Sequence, residues 1–394
     1  MLRNRRHNSR KSALIIMLMF AIGLLGLSGT SAVFAQGYIG SETCGQSGCH
    51  LDKFAEWKGS GHPYKLMETE RAQHRPIPLP EGYEWADISY VIGGWKWKSR
   101  YIDNNGYIIT EAPPGNPGNN QYNYLTQTWS DYHAGEVEKP YNCGACHTTG
   151  WVANPDPSNL AGNQDMLPGM HGTFAEGGVG CEACHGPGGN GADGNGEHGS
   201  LIDGSIESCG TCHQRGGLSN AIPASGGFIR HHEQGNELLA SPHKGWNCTT
   251  CHDPHKPSIA SIKDTFTCET CHADEAAQYA TTLMSSEVEC IDCHMGFATK
   301  SAQVMGPFEG DVWTHLFNIN TDADYDMFAD GGGSVRLEEV NGRANEGALS
   351  LDFACLRCHA GQDIEWAEAY ATNFHSTDFR ITPVISGTWV GTPG

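Results

Sequence analysis

The sequence predicts a mostly irregular chain with short α-helices wrapped around material that is not polypeptide, interrupted by a small β-hairpin insertion near residues 88–111. Three observations predict it. Only 38% of the 394 residues are hydrophobic and 51 are glycine, too little for the apolar core that such a length ordinarily builds. The chain carries 16 cysteines, and they fall into pairs whose second member is followed at once by histidine. Between those pairs the segments are short and rich in Gly, Pro, Asn and Ser, as in Gly186-Pro-Gly-Gly-Asn-Gly, which leaves little room for regular structure.

Seven pairs have the form Cys-x-x-Cys-His: Cys143/Cys146/His147, Cys181/Cys184/His185, Cys209/Cys212/His213, Cys248/Cys251/His252, Cys268/Cys271/His272, Cys290/Cys293/His294 and Cys355/Cys358/His359. That is the attachment sequence for c-type haem. Two thiols add across the two vinyl groups of one haem, and the adjacent His ligates the iron from the proximal side. The remaining cysteines, Cys44 and Cys49 before His50, are spaced two residues wider. Zinc sites and disulfides also use paired cysteines, but neither requires His immediately after the second one. The expected cofactor is therefore haem c, eight copies, covalently attached.

A low-spin haem iron takes a second axial ligand, commonly His or Met. Beyond the eight proximal histidines, the candidates are His62, His133, His171, His231, His243, His255, His315 and His375, with His232 beside His231 and with His74 and His198 left over. His62, His243 and His375 rank first, because each follows a small turn or a short helix-like stretch next to an attachment site. His198, in a Gly-rich loop, reads as a surface histidine.

Seven regular sites and one variant resemble the multihaem c-type cytochromes. The widened Cys44-Gly-Gln-Ser-Gly-Cys49-His50 site resembles the variant attachment site of the cytochrome c3 family. Trp57-x-x-Ser60-x-His62 after the first site resembles modules of the cytochrome c-554 type, and that resemblance implies a distal-ligand role for His62. Electron transfer in periplasmic or extracellular respiration is the activity this implies, as a shuttle, a surface conduit or a polymerising filament built as a homopolymer. The alternative is an octahaem oxidoreductase acting on nitrite, hydroxylamine, tetrathionate or a similar compound at one open haem; the Cys-x-x-Cys-Lys marker of one nitrite-reducing group is absent.

The N-terminus reads as a cleaved signal peptide over residues 1–35: Arg3, Arg5, Arg6, Arg10 and Lys11 precede an apolar run from Ala13 to Leu27, and Val33-Phe34-Ala35 offers small residues for cleavage. The run is shorter than the roughly 20 residues that span a bilayer, so no transmembrane anchor is expected after cleavage. A net charge of −21 excludes nucleic acid as a natural partner, since phosphates are neutralised by Lys and Arg. Other redox proteins or extracellular acceptors are the expected partners.

Along the chain, residues 36–142 form an N-terminal module with the β insertion, 143–300 a dense core with six attachment sites, and 301–394 a C-terminal module with the last. Helices are expected at Leu51 to Lys58, Ala273 to Ser285 and Asp363 to Thr372. Strands are expected at Ile88 to Ile92, Trp95 to Ile102 and Tyr107 to Glu111, with Asp103-Asn-Asn-Gly106 as the hairpin turn. Alternation puts Trp95, Trp97 and Tyr101 on one face and Lys96, Lys98 and Arg100 on the other, the latter reading as a solvated strand face.

Overall fold

The computed structural model describes residues 37–375 apart from 47–48, 189–203, 220, 258–266, 341 and 373. The signal-peptide reading and His198 lie outside the described residues. Among those described, no helix is long and apolar enough to cross a membrane.

The β insertion is larger than a hairpin. It is a seven-stranded sheet of β1 (Leu66–Glu68), β2 (Ile88–Gly93), β3 (Lys98–Asp103), β4 (Tyr107–Ile108), β5 (Gln121–Asn123), β6 (Thr128–Ser130) and β7 (Lys139–Pro140), ordered β1-β2-β3-β4-β7 with β5 pairing β3 and β6. All pairings are antiparallel, in registers such as Leu66↔Ile92, Val91↔Tyr101 and Ile102↔Ile108. The turn forms as expected: Gly106 N donates to Asp103 O, and Asp103 Oδ1 accepts from Asn105 N and Tyr107 N. Gly106 sits at φ +85°, a backbone conformation that only glycine adopts cheaply.

Both faces of this sheet are buried. Met67, Val91, Tyr101 and Ile109 pack on one side; Leu66, Tyr90, Ile92, Ile102 and Ile108 pack on the other with Tyr141, Met170 and Phe174. Neighbours in sequence alternate between the two clusters, as a period of two requires. A second core, further along the chain, joins Ile222, Phe228, Ile229, Leu316, Met327, Leu349 and Phe353, and the parallel pairing Ile229↔Thr299 ties it together.

The segments between these cores contribute almost nothing to them. Among the described residues, no member of any apolar cluster falls between Phe174 and Ile222 or between Ala240 and Ala298. Those stretches hold most of the attachment motifs.

The helices are short. Leu51–Lys58 forms with the predicted bounds, and Ile364–Ala371 starts after Asp363, whose carboxylate accepts from Trp366 N. The helix expected over Ala273 to Ser285 stops at Tyr279 and resumes as a single tight turn at Leu283–Ser286. Thr281 and Thr282 hydroxyls donate to Gln278 O and Tyr279 O, competing with the helical ladder.

Ile102 is fully buried at the centre of the sheet. Ile102→Ala is expected to lower unfolding free energy by about 2–5 kcal/mol, measured by urea titration followed by far-ultraviolet circular dichroism.

Candidate functional site

Positions one, four and five of the Cys-x-x-Cys-His motif fall on one side of a single helical turn, since residues three and four apart are neighbours on a helix surface. The chain builds that turn at every regular motif. Gly144–His147, Cys181–His185 and Cys290–His294 are α-helical. In His213, His252, His272 and His359 the backbone N–H donates to the carbonyl of the first cysteine, at 3.0–3.1 Å. The last of these motifs begins inside a wider turn, Asp352–Leu356, closed by Arg357 N on Asp352 O. Two thiols and an imidazole are thereby presented together before anything binds them.

None of the sixteen cysteines is in a disulfide. Among the described residues, no group of three or more His, Cys, Asp or Glu side chains converges as a metal site of its own, so the pairs are not assembled into tetrathiolate centres. Seven of the eight motifs line one continuous cavity of about 2320 Å³. Protein interiors otherwise close-pack, with few voids beyond the size of a water molecule.

Five histidine pairs face one another, and four of them cross this space, His185 and His255 standing outside its lining. His62 faces His213 with ring centroids 6.3 Å apart, His255 faces His185 at 6.2 Å, and His243 faces His272 at 6.1 Å. His315 faces His252 at 6.1 Å and His375 faces His294 at 5.9 Å. Every one of these pairs joins a motif histidine to a histidine outside the motifs. A metal–imidazole bond of about 2.0–2.1 Å plus roughly 1 Å from nitrogen to ring centre places two imidazoles on opposite sides of one metal about 6 Å apart. His231 and His232, neighbours in sequence, are by contrast 4.3 Å apart.

The rings are oriented from behind. His294 Nδ1 lies 2.8 Å from Phe317 O, to which it can only donate, so Nε2 carries the lone pair. His255 Nδ1 lies 3.1 Å from the Asp253 carboxylate and His213 Nδ1 3.4 Å from Gln234 Oε1. Glu237, fully buried, accepts from Thr299 Oγ1 and from His315 N, with its carboxylate 3.5 Å from His315 Nδ1. Such carboxylate and carbonyl partners fix ring orientation at metal sites. Burial, and then the His213 ring opposite, pushes His62 down to about 3, which keeps it neutral.

The thiols order the motifs in space. Cys44 hydrogen-bonds to Cys181, Cys184 lies beside Cys209, and Cys209 bonds to Cys248. Cys251 lies beside Cys271, Cys268 bonds to Cys290, and Cys293 lies beside Cys355. Seven motifs therefore form one line, from 44/49 through 181/184, 209/212, 248/251, 268/271 and 290/293 to 355/358. The motif at 143/146 branches from it at 209/212. There the Cys146 and Cys212 thiols adjoin, and each sulfur lies 3.9 Å from a carbonyl of the other's segment, Thr211 O and Ala145 O.

Other candidates are not brought opposite a motif imidazole. His133 is half-exposed and pairs with Glu136 at 2.7 Å; His171 is held by its backbone N–H on Tyr141 O; His231 Nε2 lies 2.8 Å from Arg215 Nη1. Lys98 and Arg100 do not face water as expected of a solvated strand. Lys98 Nζ donates to Ser301 O, and Arg100 Nε donates to Gln121 Oε1 with its guanidinium 3.4 Å over the Tyr132 ring. Both line the cavity, because the sheet is covered on its two faces rather than one.

Glu182, inside the second motif of the line, was invisible to sequence reasoning. Its buried carboxylate accepts from Ile39 N, Gly40 N and Gly188 N, and Glu176 accepts from Ser41 N and Oγ. These bonds dock the helix that carries Cys44, Ser41–Gln46, onto the 181/184 motif.

Residues 173–273 match the family model of cytochrome c3. With eight attachment motifs on the page, this places the chain in the class of multihaem c-type cytochromes. The fold agrees: it is similar to the octahaem sulfite reductase of Wolinella succinogenes, with TM-score 0.60, 18% identity, and coverage of 82% of this chain and 65% of that one. The chain thus spans under two thirds of the reductase's length. An outer cell wall cytochrome matches with TM-score 0.50, 17% identity, and coverage of 84% of this chain and 86% of that one. An undecahaem cytochrome from the S-layer of Carboxydothermus ferrireducens gives TM-score 0.41, 16% identity, and coverage of 66% and 51%. No curated protein sequence matches the chain.

Removing the Glu182 carboxylate strands three backbone donors. Glu182→Ala is expected to speed hydrogen exchange over residues 37–46 by at least about tenfold, with the haem complement unchanged by intact mass; unchanged exchange would show that the helix is held by other contacts.

Proposed function

We propose that the chain carries electrons along a line of seven covalently attached c-type haems with an eighth on a branch, five of the irons held by the imidazole pairs. The observation that carries this reading is the set of five facing histidine pairs at 5.9–6.3 Å, each joining a motif to a residue outside it. Bound between such pairs, haem c supplies an iron that changes oxidation state without exchanging ligands. The thiol contacts place neighbouring motifs against one another, so transfer needs no step across an insulating domain.

On this reading His62, His243, His255, His315 and His375 are distal ligands of the motifs at 209/212, 268/271, 181/184, 248/251 and 290/293. None serves the motif nearest before it in sequence. The chain is secreted through its N-terminal leader and works in the periplasm or outside the cell, handing electrons to other redox proteins or to an extracellular acceptor. Likeness in fold to a cytochrome of the outer cell wall supports that placement, as does the acidic composition, which favours solubility there. A homopolymeric filament would use the exposed ends of the line. A second reading, an oxidoreductase acting on a small nitrogen or sulfur compound, has support in one place: among the described residues, no imidazole faces His147 at the spacing of the five pairs.

His243→Ala is expected to convert one low-spin haem of the oxidised protein to a high-spin, carbon-monoxide-binding haem when reduced, read by electron paramagnetic resonance and optical spectra. The haem count by mass stays at eight. A variant with an unaltered low-spin spectrum would refute the ligand assignment.

A further inference from the structure

The paired rings are backed by groups of different kinds. His294 Nδ1 meets the Phe317 carbonyl and His213 Nδ1 meets the Gln234 amide, both uncharged. His255 Nδ1 meets the Asp253 carboxylate, but Lys53 lies 3.2 Å from that carboxylate and offsets it. His272 Nδ1 lies 3.9 Å from Glu275, whose side chain is 53% exposed, so water screens the charge. Glu237, behind His315, differs from these four. It is fully buried, its carboxylate lies 3.5 Å from His315 Nδ1, and among the described residues no Lys or Arg forms an ion pair with it.

The groups around Glu237 suit an anion. Its Oε1 accepts from Thr299 Oγ1 at 3.0 Å, and its Oε2 accepts from the His315 backbone N–H at 2.6 Å. His315 Nδ1 is buried without a hydrogen-bond partner, and Oε2 is the acceptor beside it. With Nε2 turned to a metal, Nδ1 carries the ring proton and can only donate. An acceptor in that place raises the basicity of the ligating ring. A buried negative charge beside an iron stabilises the ferric form over the ferrous, since the ferric form carries the larger positive charge. Both effects lower a reduction potential.

His315 faces His252, so the carboxylate acts on the motif at 248/251, which is the central one of the seven in the line. Glu237 sits on the short helix Gln234–Leu239, three residues after Gln234. That helix therefore backs the rings of two successive motifs, with an amide at 209/212 and a carboxylate at 248/251. Glu233, on the same helix, is engaged elsewhere: Asn236 Nδ2 donates to it, and Arg215 lies within electrostatic reach. We propose that Glu237 holds the haem at 248/251 at a lower potential than its neighbour at 209/212 and so divides the line at its centre. The inference rests on the ligand pairs of the electron-line reading. Moving an electron across this point oxidises ferrous iron at 209/212 and reduces ferric iron at 248/251, an uphill exchange. Electrons entering at the 44/49 end are thereby retained on the side that carries the branch motif at 143/146.

The test uses the full-length holoprotein, with its haem count first established by mass, and reads midpoint potentials by optical redox titration while electron paramagnetic resonance follows the ferric signals. Glu237→Gln is expected to raise one midpoint by the equivalent of about a tenfold change in ferric-to-ferrous ratio, 59 mV for one electron, with no haem turned high-spin. Asp253→Asn, whose charge Lys53 already offsets, is expected to change the corresponding ratio by less than about threefold. Gln234→Glu places a carboxylate behind His213 and is expected to lower one midpoint. Unchanged midpoints in Glu237→Gln overturn the proposal, and an equal rise in Asp253→Asn overturns the claim that the centre of the line is set apart. Where Glu237→Gln does not take up its haems, Gln234→Glu decides: if it lowers no midpoint, the proposal is overturned. His315→Ala separates this inference from the reading beneath it. One new high-spin haem in that variant, beside unchanged midpoints in Glu237→Gln, leaves the ligand pair standing and removes only the role of Glu237. A His315→Ala protein with every haem low-spin removes the pair itself and the proposal with it.

Discussion

Two imidazoles held about 6 Å apart across a shared cavity are the constraint on which the rest of the structure depends. Each motif supplies one ring through a single helical turn, a local event that needs only five residues. The opposite ring comes from elsewhere in the chain, so the remaining polypeptide has to be routed until His62 reaches His213, His255 reaches His185 and His375 reaches His294. The routing is done by loops, while positional precision comes from hydrogen bonds behind the rings, from Phe317 O, Asp253 and Gln234. A chain this rich in glycine carries a large entropy cost of folding, which tethering at thiols and rings would reduce on the proposed haem attachment.

The two apolar cores flank the cavity rather than fill it. The seven-stranded sheet forms one wall and presents Lys98 and Arg100 to the interior from a strand whose neighbours, Ser99 and Tyr101, are fully buried. The core around Ile229 and Phe353 supports the other, and Glu237 ties it to the cavity by bonding Thr299 on the parallel strand pair and the backbone of His315. Stability and site geometry therefore share residues only at a few places, which lets the stretches from Phe174 to Ile222 and from Ala240 to Ala298 give their side chains to the motifs.

What was legible in the sequence was whatever is local. Cys-x-x-Cys-His is a one-turn pattern, and Asp103-Asn-Asn-Gly106 is a one-turn pattern, so both were readable and both formed. The helix at Leu51–Lys58 was visible for the same reason. Strands β5 and β6, three residues each, carry no alternation long enough to recognise, and the sheet was underestimated as a hairpin. Lys98 and Arg100 were misjudged because alternation reports which residues share a face but says nothing of what covers that face. The pairing of each distal histidine depends on contacts between distant segments, which spacing does not encode; it ranked His62, His243 and His375 highly without revealing which motif each would meet. Glu182 had no signal at all, being an ordinary motif filler.

The crossed pattern of the pairs also bears on how the protein comes into being. His62 and His243 precede the motifs they face, but the motifs at 181/184, 248/251 and 290/293 face His255, His315 and His375, so these three lack their second ring when their own cysteines first emerge during synthesis. On the proposed ligation, maturation at those three sites passes through half-ligated species in which wrong histidines are available, and His232 lies near both His213 and His147. The chain can reach its single correct pairing only late, when the final segment closes over the motif at 290/293, so truncating that segment would disturb assembly at a site already long since translated.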